Sequence, residues 1–223
     1  MRVDPPANPW LSWTYVQDNS AEIARYLVQH TTLTVQALLV ALAVAVPLAA
    51  IAHLRPRLAG LVLGTSGVLY TIPSLALFAI VYPYLRDRRT TVLTGLVLYA
   101  LLLIVRNTLV GLRGVDPDVR DAARGLGYGR WRLLLTVELP NALPSVMTGL
   151  RLASASTVAL VTVGVVIGYG GLGQLMFRGF SSGYHAQIMT ATLLCLAVAL
   201  VLDVALTLVG RLLTPWARSA ASV

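Results

Sequence analysis

The chain has 223 residues, carries a formal net charge of +8, and is 57% hydrophobic but only 12% charged, about half the charged share of an average soluble domain. Its cations lie between apolar runs and not on one soluble face, which argues for a membrane protein and against a nucleic-acid binder. Every basic residue is an arginine. With no lysine, the chain can build neither a P-loop nor a Schiff base, so any ATP and Mg²⁺ must sit on a partner ATPase. The single cysteine, Cys195, excludes an intrachain disulfide and reads as packing.

Residues 1–24 form an N-terminal segment on the outer side. Asn19 and Glu22 have capping-box spacing, and Ile23, Tyr26, Leu27 and His30 then fall on one helical face. This predicts a short interfacial helix, with Trp10, Trp13 and Tyr15 at the membrane boundary. The polar lead is too long for a cleaved signal peptide.

Between Arg25 and Arg55 there is no Asp, Glu, Lys or Arg, Leu58 to Leu85 gives 28 such residues, and Leu152 to Phe177 gives 26; a helix needs about 20 to span. A fourth run, from Gly179 to Leu202, continues past the single acid Asp203. Thr90 to Val105 is a fifth, of 16 residues. That is roughly 24 Å of helix against a core of about 30 Å, so it spans only if arginines snorkel or the helix runs on through Leu109. The expected fold is an all-α integral membrane protein with five spans, near 31–52, 61–82, 90–110, 145–168 and 187–210, in a transmembrane domain of residues 25–212. Residues 58–89 can hold one span or a span plus a re-entrant segment. A cytoplasmic tail follows at 213–223. Arginine bias favours the N-terminus outside and the C-terminus inside. Ten arginines then lie inside, Arg218 among them, against six outside, Arg2 among them; Arg86, Arg88 and Arg89 are on the disfavoured side.

Several motifs have a bland reading beside a functional one. Gly64-Thr65-Ser66-Gly67 matches the GxSG of intramembrane serine proteases, with His53 as the nearest base in sequence, but four small residues are common where helices approach closely. Val166-Ile167-Gly168-Tyr169-Gly170 matches a potassium filter in part; it follows a full-length run and lacks the threonine, so a glycine-rich turn with Gly168, Gly170 and Gly171 is expected at the outer end of the fourth span. Pro47, Pro73 (with Ser74 after it) and Pro83 are kinks, or hinges beside a transport path. Asp203 is an intramembrane acid, paired with Arg211 or Arg151 or acting at the cytoplasmic mouth. His185 receives no role.

The charged middle loop, 113–144, contains Asp121-Ala122-Ala123-x₃-Gly127-x₉-Val137-x-Leu139-Pro140. Asp116-Pro117 starts a helix, Asp121 and Arg124 are i,i+3 partners, and Gly127 ends the helix in a left-handed cap. A second short helix is expected from Trp131 to Val137, with Trp131, Leu134 and Leu135 on one face. Pro140 and Pro144 end it, and Pro144 starts the fourth span.

This spacing resembles the EAA motif of the membrane subunits of binding-protein-dependent ABC importers (Glu-Ala-Ala, three residues, Gly, nine residues, Ile-x-Leu-Pro), with Asp for Glu and Val for Ile. Tyr70 to Leu77, Arg106-Asn107-Thr108, and Ile167 to Gly173 are similar to the glycine betaine/carnitine/choline branch. The resemblance implies that Asp121, Ala122, Ala123, Gly127, Val137, Leu139 and Pro140 form a coupling element for a cytoplasmic ATPase. It implies a second permease subunit (a copy or a sister), two ATPase subunits, and an external solute-binding protein, in the bacterial cytoplasmic membrane. The chain itself is then non-catalytic and moves a quaternary-ammonium osmolyte or another small zwitterion. A channel and a membrane protease are the remote alternatives.

Overall fold

The computed structural model describes residues 8–216; Arg2, Arg218 and most of the 213–223 tail lie outside the described residues. All regular structure among these residues is helical. Helix α1 (Trp13–Asp18) leads into α2 (Ser20–Leu54), followed by α3 (Pro56–Thr71), α4 (Ser74–Leu85) and α5 (Arg88–Arg113). Short α6 (Pro117–Gly125) and α7 (Arg130–Leu133) precede a π-helical turn (Leu134–Glu138) and α8 (Leu139–Val163). A 3₁₀ turn (Gly164–Ile167), α9 (Gly173–Ser182) and α10 (His185–Leu213) complete the chain.

Small residues set the packing. On α2, Ala37, Ala41, Ala45, Ala49 and Ala52 are all fully buried, a seam at helical spacing that lets α5 approach closely. Helix α5 is central, packed against α2 on one side and α8 on the other. A methyl group on Gly149 of α8 would lie 2.7 Å from the Asn107 Cβ, and one on Gly111 of α5 would lie 2.7 Å from the Ser145 Cβ.

Four helical stretches are long and apolar enough to cross a membrane: α2, α5, residues 130–167, and α10. The expected span at 61–82 is not one straight helix. Helices α3 and α4 meet at 99°, because Pro73 drives Ile72 into extended backbone (φ −65°, ψ 127°) and ends α3. The Ile72 carbonyl exposed at this elbow accepts a hydrogen bond from the Tyr99 hydroxyl of α5. Counting the bent pair as one span gives five.

Three local expectations change. Asn19 does not cap an interfacial helix: its side chain turns back to the Tyr15 carbonyl (2.9 Å), and α2 then runs unbroken from Ser20 through the first span. The marginal third span is not among these, since the condition set for it, a helix that runs on through Leu109, is met. Helix α5 runs on to Arg113, 26 residues, or roughly 39 Å. The prolines at 140 and 144 do not end a helix. The Leu139 N–H bonds the Leu134 carbonyl in π register, and this widened turn accommodates the ring of Pro140, which in an α-helix collides with the carbonyl four residues back. Pro144 lies inside α8. Trp131, Leu134 and Leu135 share no buried face either, since Leu134 is buried and the other two are exposed.

Candidate coupling surface and transport elements

Helix α6 is built from local signals. The Asp116 carboxylate accepts the Asp118 N–H (2.9 Å), and Pro117 takes the first helical position. Asp121 pairs with Arg124 at 3.0 Å. At the other end the Gly127 N–H reaches the Arg124 carbonyl and the Tyr128 N–H reaches the Ala123 carbonyl. These are the two bonds of a Schellman cap, and they require Gly127 at φ +79°. A side chain at Gly127 meets nothing within 4 Å, so the constraint there is backbone conformation and not space.

Helix α6 presents a largely charged surface, with Asp118, Asp121 and Arg124 exposed around the small apolar side chains of Val119 and Ala122. Asp121 and Ala122 are exposed, Ala123 is buried beneath them, and Val119, Leu126 and Trp131 are exposed nearby in sequence. An exposed apolar patch bordered by charge is the usual mark of a protein contact. The second half of the 121–140 pattern lies elsewhere: Val137, Leu139 and Pro140 are half-buried in the π turn and the first turn of α8. The pattern therefore joins an exposed face to the base of a long helix.

Between those halves lies a residue that sequence reasoning missed. Glu138, the unspecified position of Val-x-Leu-Pro, is buried. Its Oε2 is 3.1 Å from His53 Nε2 in the last turn of α2, and its Oε1 is 3.5 Å from Arg120 Nε in α6. Arg120 also donates to the carbonyls of Val115 (2.6 Å) and Arg113 (2.9 Å) at the end of α5. The only signal in the sequence was an acid placed beside a helix-turn proline among apolar neighbours.

The candidate pathway residues occupy four separate places. Pro47 faces outward from an unbroken α2. Pro73 and Ser74 form the α3–α4 elbow. Gly168 and Gly171, at φ +79° and +53°, turn the chain after the 3₁₀ segment. Gly170 in the same turn packs against Val165, and Gly171 lies against the His30 backbone of α2. Asp203 of α10 forms a two-pronged ion pair with Arg151 of α8, at 2.8 and 2.9 Å, which selects Arg151 as its partner at this site.

The enzyme and channel motifs are occupied structurally. Ser66 donates to the Val62 carbonyl of its own helix, and His53 is engaged by Glu138. Within the filter-like stretch, the Tyr169 and Gly168 amides bond back to the Gly164 and Val165 carbonyls, as in a closed turn. His185, left without a role, stacks on Trp10 at 4.2 Å.

Residues 37–219 match the family model described as the binding-protein-dependent transport system inner membrane component. The chain belongs to that family. As a member it is a membrane-spanning permease subunit of a binding-protein-dependent transport system, and a multi-pass protein. The carnitine transport permease protein OpuCB of Listeria monocytogenes is 35% identical over 91% of this chain and 93% of its own length. The osmoprotectant import permease protein OsmW of Salmonella typhimurium is 37% identical over 90% of this chain and 96% of its own. The choline transport permease OpuBB of Bacillus subtilis is 31% identical over 90% and 93%. Among solved structures, an inward-facing MetNI methionine ABC transporter superposes with a TM-score of 0.74 at 19% identity, over 84% of this chain and 94% of that one. An amino acid ABC transporter gives 0.74 at 18%, over 90% and 98%. These last two establish the fold.

Proposed function

We propose that this permease forms the membrane path of an ATP-driven importer for a small quaternary-ammonium osmolyte such as glycine betaine, choline or carnitine. The observation that carries the reading is the match, over about nine-tenths of the chain, to permeases named for carnitine, osmoprotectant and choline transport. Two permease subunits, identical or sister, pair in the bacterial cytoplasmic membrane with two ABC ATPases. An external binding protein that cages the cationic head with aromatic rings delivers the solute. ATP and Mg²⁺ are held by the ATPases, and this chain holds no cofactor. Helix α6 is the ATPase contact; its exposed Ala122 and the charged rim beside it support that role.

Binding-protein-dependent uptake by the reconstituted transporter, run with glycine betaine, choline, carnitine and an amino-acid panel, tests the substrate class. Saturable uptake of at least one betaine or choline is expected; uptake of amino acids alone overturns the reading. The N-outside, C-inside topology is tested in a Cys195→Ser background. Trp10→Cys is expected to react with an impermeant maleimide on intact spheroplasts and Leu126→Cys only after lysis. The reverse pattern sinks the orientation.

A further inference from the structure

Arg120 anchors helix α6 to the elements beneath it. The Arg120 guanidinium sits over the end of α5, bonded to the carbonyls of residues 113 and 115. Its Nε, which makes no hydrogen bond of its own, faces Glu138 at 3.5 Å. The Glu138 side chain is 5% exposed, and its other oxygen meets His53 of α2 at 3.1 Å. One buried carboxylate therefore joins α6, α2 and the base of α8, and reaches α5 through Arg120.

The backbone at Glu138 is unusual as well. It closes the π-helical turn, a geometry that recurs at functional sites and that re-aims a side chain relative to the helix it enters. In a plain α-helix the chain would lose one residue's rotation here, and the carboxylate would leave the α2–α6 junction. A buried charge that ties three elements costs more than an apolar residue of the same volume. The surrounding helices already pack through small residues, so holding the bundle together is not what the charge is needed for.

We propose that Glu138 is a positioning residue for energy coupling. It locks α6 to α2 and α8, so that displacement of α6 by the ATPases moves the membrane helices instead of bending the 113–117 and 126–129 connections. The proposal rests on α6 being the ATPase contact.

The test is the number of solute molecules imported per ATP hydrolysed by the complete transporter in proteoliposomes with its binding protein. For Glu138→Ala the ratio is expected to fall about tenfold, within the 5- to 150-fold range of coupling between sites, while hydrolysis by the assembled complex continues. His53→Leu cuts only the α2 limb and leaves Arg120 to balance the buried carboxylate, so it keeps the test alive if Glu138→Ala does not assemble. It is expected to lower the ratio, and His53→Gln, which keeps a donor for Glu138, to restore it. A wild-type ratio in His53→Leu, or equal ratios in the leucine and glutamine variants, overturns the proposal. Failure of the underlying reading looks different. Ala122→Trp, on the exposed face of α6, is expected to release the ATPase. If the ATPase stays bound with wild-type hydrolysis, α6 is not the contact, whatever the Glu138 and His53 variants do.

Discussion

Helices α5 and α10 are both apolar enough to cross a membrane, yet two-thirds of the most apolar window of α5 is buried inside the chain against 6% of that of α10. Hydropathy ranks them the other way, 1.9 against 2.6. Inside a bilayer the hydrophobic effect does not choose helix neighbours, since lipid is as apolar as leucine; close packing of small residues does. Helix α5 meets the alanine seam of α2 and the glycine contacts of α8. Helix α10 carries leucine and valine on most faces, with Leu200, Val201, Val204 and Leu208 all exposed. It docks on α8 and α9 along one edge. The more hydrophobic helix is thus the one that faces lipid or another subunit.

The strongest way to break this contrast is to spoil the α5–α8 seam. Gly149→Leu places a Cβ 2.7 Å from the Asn107 Cβ and 3.0 Å from the Leu103 carbonyl oxygen. With backbone on one side there is little room to yield, and overpacking of this kind costs about 3 kcal/mol. The variant is expected to show a lowered melting temperature by detergent-solubilised fluorescence thermometry, or no folded peak in size exclusion. A wild-type melt means the seam is looser than its contacts indicate.

A smaller effect is expected where α8 meets α10. Arg151 and Asp203 hold the only side-chain ion pair between these helices among the described residues, and both are about 44% exposed at the side chain, so water or lipid headgroups soften its loss. Asp203→Ala strands a cation on an apolar helix. We expect each single alanine variant to melt below the Arg151→Ala/Asp203→Ala double variant. Additive losses would show that the two residues act independently.

Much of this was legible. The Asp116-Pro117 start, the Asp121–Arg124 pair and the Gly127 stop all lie within a few residues of one another, where backbone rules operate, and α6 follows them closely. The apolar runs marked the long helices. The elbow at Pro73 was hidden because hydropathy is continuous across 61–82 and only the 99° angle distinguishes a bent pair from a span. Glu138 was hidden because its partners are 18 and 85 positions away, and because the prolines after it read as helix ends unless the π turn is known. For Asp203 the sequence left open a pair with Arg211, a pair with Arg151 and a role at the cytoplasmic mouth; the pair with Arg151 follows from how α8 and α10 meet.

The helix starts offer a third contrast, with effects smaller again. Helix α5 is capped by its own neighbour: the Asp87 carboxylate accepts the Thr90 N–H at 2.7 Å. Helix α10 has no cap from Tyr184 beside it; its first amide, of His185, donates to Asn8 Oδ1 at 3.0 Å, and the Asn8 side-chain amide donates to the Gly183 carbonyl at 2.7 Å. Asn8→Ala is expected to cost about 1 kcal/mol, the usual worth of a cap, and to raise amide exchange at 185–188 while leaving 88–91 unchanged. Exchange that rises equally at both starts shows a global loss of stability and no cap.

The Asp87 cap is expected to be pH-dependent, and the Asn8 cap is not. Hydrogen bonding to Thr90, side chain first and amide second, holds the Asp87 carboxyl below its usual range. A depressed carboxyl stabilises the fold fully above its unfolded pKa, about 3.9. That contribution disappears as pH falls through the lower folded value. Because Asp87 is fully exposed, the effect is local fraying more than global unfolding. Amide exchange at Thr90 and Thr91, corrected for the intrinsic pH dependence of exchange, is expected to lose protection as pH falls from 5 to about 3, with His185 unaffected over the same range. Asp87→Asn, which can still cap through its carbonyl oxygen, is expected to remove the pH dependence while keeping most of the protection. If Asp87→Asn retains the wild-type pH profile, the titrating group is not Asp87, and the contrast between a charged local cap on the buried helix and a neutral distant cap on the exposed one does not hold.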